Sequence, residues 1–237
     1  MVTNDGNGPV VTISATYGAG GSVIGPAVAA ALELPFLDRA IPTVVASRIG
    51  CSFAEALKRD DRSAGGFERL LAGAARLPTV TFGSVDTPYV GATDAEGRLL
   101  YDHEFVEQTE RVIQDVARTG GVILGRAAAV VLAERPGALH VRLDGDREAR
   151  LLQARRLWED GNGEGLSVGA REEGPPTERL LDDNDRARSA YVRRFYRADA
   201  ADPAHYHLVI DSTALSTGAC ADLVVRAATD RVARFAG

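Results

Sequence analysis

Val10-Val11-Thr12-Ile13-Ser14-Ala15-Thr16-Tyr17-Gly18-Ala19-Gly20-Gly21-Ser22 is the stretch that decides the fold. Four of its first five residues are apolar or β-branched, and the five read as a short buried strand. A glycine turn follows, and an alanine-rich helix opens at Ser22 and runs through Ala27, Ala30 and Ala31 to Leu34. Strand, glycine turn and helix in this order cradle phosphate with backbone N–H groups and a helix N-terminus. Against the pattern G-x-x-x-x-G-K-[ST], Ala15 stands at the first glycine and Gly21 at the lysine. Lys58 is the one lysine of the chain, so no spare sits nearby. The loop argues for phosphate binding and, in the same residues, against efficient phosphoryl transfer.

Working outward, 237 residues suffice for one α/β domain with an insertion or lid. A net charge of −6 excludes a general affinity for nucleic acid or acidic membranes, so an anionic ligand must be held by local arginine clusters. Cys51 and Cys220 are too few for a disulfide framework or a zinc site. There is no apolar run of membrane-spanning length and no secretory leader, which makes the cytoplasm the expected compartment. Residues 1–9 read as a disordered leader and 10–237 as a single domain.

Along the rest of the chain, residues 34–38 form a second short strand ending in Asp38. Residues 41–77 follow a helical pattern, and 79–101 are broken by Gly83, Pro88, Gly91 and Gly97, so that about 41–103 looks inserted. Residues 104–118 read as an amphipathic helix stopped by Gly120-Gly121. Val122-Ile123-Leu124 is a buried strand followed by Gly125-Arg126, and 139–143 is another, ending at Asp144. Asp146 is placed to cap the next helix, which reaches Trp158. A glycine- and proline-rich loop spans 161–176, a helix rich in arginine spans 178–197, and 206–210 is the last strand, before Asp211-Ser212-Thr213 and a helix over 217–235. Short apolar strands alternating with helices predict a parallel sheet flanked by helices.

In such a sheet ligands bind outside the carboxyl ends of the strands. Four of those ends carry notable groups: the glycine loop, Asp38, Arg126 and Asp211-Ser212-Thr213. Each has a plain alternative. Asp38 reads also as a helix cap, Arg126 as the partner of a surface acid, and Asp211 as the start of a turn. Arg150, Arg155 and Arg156 precede the 161–176 loop; Arg186, Arg188, Arg193, Arg194 and Arg197 follow it. They read either as a lid closing on phosphates or as a solvated helical face. His205 and His207 lack a neighbouring carboxylate or cysteine at ligand spacing, which argues against a metal there. Asp182-Asp183-Asn184-Asp185 lacks the glycine and terminal glutamate of a calcium loop and reads as a helix start, with Asp185 toward the ligand.

The ordered set of glycine loop, Asp38, Gly125-Arg126, arginine lid, Asp185-x-x-Arg188 and Ile210-Asp211-Ser212-Thr213-Ala214-Leu215-Ser216 resembles the cytidylate kinases. It is closer still to the subgroup called cytidylate kinase-like, whose opening signature is similar to Thr12-Ile13-Ser14, Tyr17-Gly18-Ala19-Gly20-Gly21 and Ile24-Gly25. The resemblance covers about 10–228 and is loosest across 41–100 and 161–176. It implies a P-loop kinase core with a five-stranded parallel sheet, an acceptor-side insertion and a short lid at about 155–180. It also implies transfer of the γ-phosphoryl of ATP, with Mg²⁺, to CMP or dCMP. On that resemblance Gly18, Gly20, Gly21 and Ser22 would hold donor phosphates, Ser22 also being the Mg²⁺ ligand. Asp211 and Ser212 would lie beside the adenine. Arg126 would clamp the acceptor phosphate, Asp38 would lie near the acceptor sugar, and Asp185 and Arg188 would face the acceptor. Arg126, Arg150 and Arg188 would carry the catalytic charge, Arg150 from the lid.

The departures are Gly21 for the phosphate-loop lysine, which the cytidylate kinase-like subgroup commonly lacks too, and Ala15 for an arginine common in that subgroup. Ala127 replaces an aspartate that reads cytosine, Val44 an arginine on the acceptor phosphate, and Leu181 a lid-region arginine. Losing one well-placed electrostatic donor costs about a hundred- to a thousandfold in rate, roughly 3–4 kcal/mol. The sequence therefore predicts a nucleoside monophosphate kinase-like protein acting on a pyrimidine monophosphate or another small phosphorylated substrate. The alternative is an impaired nucleotide-binding regulator on the same scaffold.

Overall fold

The computed structural model describes residues 8–37, 102–160 and 175–235. Asp38, Val44, most of the expected insertion and the 161–174 part of the expected lid lie outside the described residues. Five strands form one sheet: β1 (Val10–Ala15), β2 (Phe36–Leu37), β3 (Gly121–Leu124), β4 (Leu139–Asp144) and β5 (Leu208–Asp211). Their order is β2-β3-β1-β4-β5 and every pairing is parallel. Val11 and Ile13 are fully buried, as are Val122, Ile123, Val141 and Leu143, because a parallel sheet covered on both faces needs apolar residues at consecutive positions.

Six helices are described: α1 (Gly21–Ala31), α2 (Asp102–Thr119), α3 (Ala128–Val131), α4 (Arg147–Glu159), α5 (Glu178–Tyr196) and α6 (Thr217–Phe235). α1 and α6 cover one face of the sheet, where Ile24, Val28, Cys220 and Val224 meet the strand residues. α2 and α3 cover the other face through Val112, Ile113, Ala128 and Leu132. None of the described helices is long and apolar enough to cross a membrane.

Most element boundaries agree with the sequence reading. Asp146 caps α4 by accepting from the N–H groups of Glu148 (2.9 Å) and Ala149 (3.1 Å). One placement and one boundary differ. Thr177 caps α5 through its hydroxyl, which accepts from the Leu180 N–H at 3.2 Å, so Asp182-Asp183-Asn184-Asp185 lies inside that helix rather than at its start. His205 ends a 3₁₀ turn (Pro203–His205), and β5 begins only at Leu208, so the two histidines do not share a strand face. His207 instead stacks on His140, with ring centroids 4.9 Å apart. Of the expected leader, Pro9 extends the pairing of β1 with β3, its carbonyl accepting from the Gly121 N–H at 2.9 Å.

Candidate active site

β1 is the central strand, with β3 on one side and β4 on the other, and the glycine loop leaves its carboxyl end. The Thr16 N–H donates to the Leu143 carbonyl (3.1 Å), and the Thr16 hydroxyl donates to Asp144 at the end of β4 (2.9 Å). Gly18 has φ +79°, and a Cβ there would lie 2.2 Å from the Arg150 carbonyl, so only glycine lets α4 pack this closely on the turn. Gly21 opens α1 facing Ala15, and a Cβ on it would sit 2.6 Å from the Ala15 Cβ and 3.1 Å from Leu124. Gly20, Gly21 and Ser22 carry orphan N–H groups of the helix start, without an acceptor among the described residues.

α4 and α5 grip this loop. Arg150 is buried, and its Nη1 donates to the Tyr17 carbonyl at 2.9 Å while its Nε donates to the Gly145 carbonyl at 3.0 Å. The same Nη1 meets Asp185 Oδ2 at 2.7 Å, and Asp185 Oδ1 accepts from the Tyr17 N–H at 3.0 Å. Gln153 donates to the Gly18 carbonyl (3.0 Å). The Tyr17 ring is buried among Leu151, Ala154 and Leu181. Leu181, where the resemblance leads one to expect an arginine, is thus a packing residue holding α5 to the loop. Ser212, fully buried, donates from its hydroxyl to the Ala19 carbonyl at 2.8 Å and braces the loop from below.

On the other side of β1, the turn after β3 runs through three consecutive left-handed residues, Gly125 (φ 80°), Arg126 (φ 57°) and Ala127 (φ 54°). Two of them are not glycine, and such conformations are held only where the surroundings impose them, often at functional sites. The turn buries Arg126 (3% exposed) beside a cavity of about 30 Å³, room for about one water. Arg188, Ser14, Tyr191 and Tyr206 also line it. Arg188 reaches back to β1, donating to the Ala15 carbonyl and the Ser14 hydroxyl. Ser14 lies 3.0 Å from the Tyr206 hydroxyl, which donates to the Ala200 carbonyl at 2.8 Å. Burial pulls Arg188 below its ordinary pKa, opposed by Tyr206 and Asp185 nearby, and burial pushes the Tyr191 phenol up despite Arg126. Burial of Asp144 works against its ionisation, but the Arg142 guanidinium, 3.0 Å away through Nε, and hydrogen bonds from Gly145 and Thr16 hold the carboxyl below its usual value. Four arginines, 126, 142, 150 and 188, are therefore buried along one edge of the sheet. So dense a set of fixed cations suits an anionic ligand.

The profile of the Cytidylate kinase-like family matches residues 10–214. The chain belongs to that family. Among solved structures it is similar to an uncharacterized protein from Eubacterium ventriosum, at 13% identity and TM-score 0.57, covering 93% of this chain and 98% of the other. It is also similar to shikimate kinase from Acinetobacter baumannii (17% identity, 94% and 93% covered, TM-score 0.43) and to a gluconokinase from Sinorhizobium meliloti (14%, 96% and 93%, 0.45). Among curated proteins, none matches this sequence. The family is kinase-like, and the fold is the five-stranded parallel P-loop core expected from the sequence.

Within this cytidylate kinase-like frame the residues singled out from sequence fall into three groups. Gly18, Gly20, Gly21, Ser22, Arg150 and Asp185 meet at the loop, and Arg126 and Arg188 meet at the cavity beyond β1. Asp211 is turned to its own chain, where its Oδ1 accepts from the Thr213 hydroxyl (2.6 Å) and from the N–H groups of Thr213 and Ala214, which lowers its pKa. Asp38 lies outside the described residues. Sequence reading missed Asp144, Gln153 and Tyr206 as parts of the site. Asp144 could have been found as a polar strand end beside the loop; Gln153 and Tyr206 carry no pattern that marks them.

Proposed function

We propose that the protein is a phosphotransferase of the nucleoside monophosphate kinase type. The glycine loop would hold the phosphate tail of ATP, and Arg126 with Arg188 would hold the phosphate of a nucleoside monophosphate such as CMP. The observation that carries this reading is the pair of buried arginines, Arg126 and Arg188, at the carboxyl edge of the sheet; the cavity of about 30 Å³ that they line would have to widen to admit a phosphate. Two fixed cations beside the loop would serve positioning and charge stabilisation in phosphoryl transfer.

The residues fit the implied Mg²⁺ in a limited way. The Ser22 hydroxyl makes no hydrogen bond with another described residue, and Asp144 is neutralised by Arg142. Among the described residues no group of three carboxylate, histidine or cysteine ligands occurs. Mg²⁺ would thus be carried chiefly by the phosphates, with Ser22 as its protein ligand. Bound there, it would neutralise charge on the transferred group. Arg150 would supply the fixed cation at the loop that Gly21 lacks. Ser212 would act as a support of the loop, since its hydroxyl is already engaged.

A second reading is favoured by a specific observation: the loop is packed for glycine at position 21, against Ala15, which suits a nucleotide-binding protein that has shed turnover. Calorimetric titration with ADP and with CMP separates the two sites. Arg126→Ala should weaken CMP by about thirtyfold or more, as loss of a buried charged contact does, and leave ADP within a factor of two. Equal CMP affinity in both proteins would remove Arg126 from the acceptor site.

A further inference from the structure

The phosphate loop already holds an anion, and it belongs to the chain. Resting on the phosphate-site reading above, we infer that Asp185 is a resident counter-ion of the glycine loop that an incoming phosphate group must displace. Its two oxygens make the two kinds of contact a phosphate makes at such a loop. Oδ1 accepts from the backbone N–H of Tyr17 at 3.0 Å, and Oδ2 pairs with the Arg150 guanidinium at 2.7 Å. The residue that the resemblance turns toward the acceptor lies, in this structure, on the donor loop.

Four features make the contact exchangeable rather than merely structural. Arg150 is anchored without Asp185, through the Tyr17 and Gly145 carbonyls, so the cation stays in place when its partner leaves. The Asp185 side chain is 26% exposed while that of Arg150 is 9% exposed, so the carboxylate has a way out to solvent and the guanidinium does not. The neighbouring N–H groups of Gly20, Gly21 and Ser22 have no acceptor among the described residues and remain for the rest of the phosphate chain. α5 keeps a second grip on β1 through Arg188, one turn further along the helix, so releasing Asp185 does not detach the helix. Where lysine-bearing loops carry their own charge, this loop borrows Arg150 and keeps it neutralised until a ligand arrives. The apparent affinity for phosphate is then lowered by the fraction of molecules in which Asp185 is seated.

The test is calorimetric titration of inorganic pyrophosphate, which has no sugar or base, into the full chain and into Asp185→Asn. Exchange predicts about tenfold tighter binding by the variant. It also predicts, in the unmodified protein, that pyrophosphate moves the NMR signals of the Tyr17 amide and the Asp185 carboxyl carbon together. Equal or weaker binding by a folded Asp185→Asn overturns the exchange. So does pyrophosphate binding that leaves the Asp185 carboxyl signal in place, a readout that needs no variant. If neither protein binds pyrophosphate or ADP, the phosphate-site reading falls as well, an outcome distinct from binding with Asp185 unmoved.

Discussion

Gly21 departs from the phosphate-loop pattern and Ala15 from the subgroup's, and the two meet in one physical contact. A side chain at 21 would start 2.6 Å from the Ala15 Cβ, so the missing lysine is not a simple deletion that substitution would repair. Gly21→Lys should destabilise the fold by about 1–3 kcal/mol, as overpacking of a filled site does, and should not raise any phosphoryl-transfer rate. Urea denaturation and a product assay on the same preparation check both halves; a stable, faster variant would refute the packing account. The identities at both positions were plain in the sequence, but their contact was not, because it depends on how the turn folds back on itself. Leu181 teaches the same lesson. As a letter it is a lost arginine; in the structure it is 1% exposed and packs on Tyr17.

At the scale of elements, apolar runs and glycine punctuation located all five strands and the main described helices, since β1, β3 and β4 are buried along their length and mostly apolar. The sequence could not show that α4 and α5 lie on the glycine loop. Their contacts come from Gln153, Asp185 and the Arg150 side chain reaching backbone groups over 130 residues away. The run of acidic residues at 182–185 looked like a helix start because such residues cap helices, but Thr177 had already done so. The join between β4 and β5 yields a prediction of its own. Here His140 hydrogen-bonds Thr12 at 2.8 Å, and its N–H donates to His207 Nδ1 at 2.9 Å. Burial, with His207 and Arg231 adding to it, lowers the His140 pKa from 6.5 to about 4. The unfolded chain therefore binds this proton more readily. Stability from the neutral ring is fully present above pH 6.5 and is lost as pH falls through about 4, a change of roughly 3 kcal/mol. Denaturant midpoints between pH 7 and pH 4 should follow that slope, and His140→Asn, which can still meet Thr12, should flatten it. An unchanged slope would assign the acid sensitivity to other groups.

Over the whole molecule, the sheet gathers its chemistry at the carboxyl edge of β1, where the chain changes direction between β3 and β4. Alternating strands and helices made the parallel sheet legible. The order β2-β3-β1-β4-β5 was not, because right-handed crossovers can place a following strand on either side of β1. The same limit hid Asp144 and Tyr206, which join the site only through that order. In the function proposed above, Arg150 takes the part of the loop lysine and two buried arginines hold the acceptor. The measurement that bears on this most directly is a chromatographic phosphoryl-transfer assay. It uses purified protein with ATP and Mg²⁺ against CMP, dCMP, UMP, AMP and GMP, with Arg126→Ala as control. The account predicts a diphosphate product from a pyrimidine monophosphate, lost in Arg126→Ala. No product from any monophosphate, in a protein that still binds ADP, would contradict the phosphotransferase and leave a nucleotide-binding protein on a kinase fold.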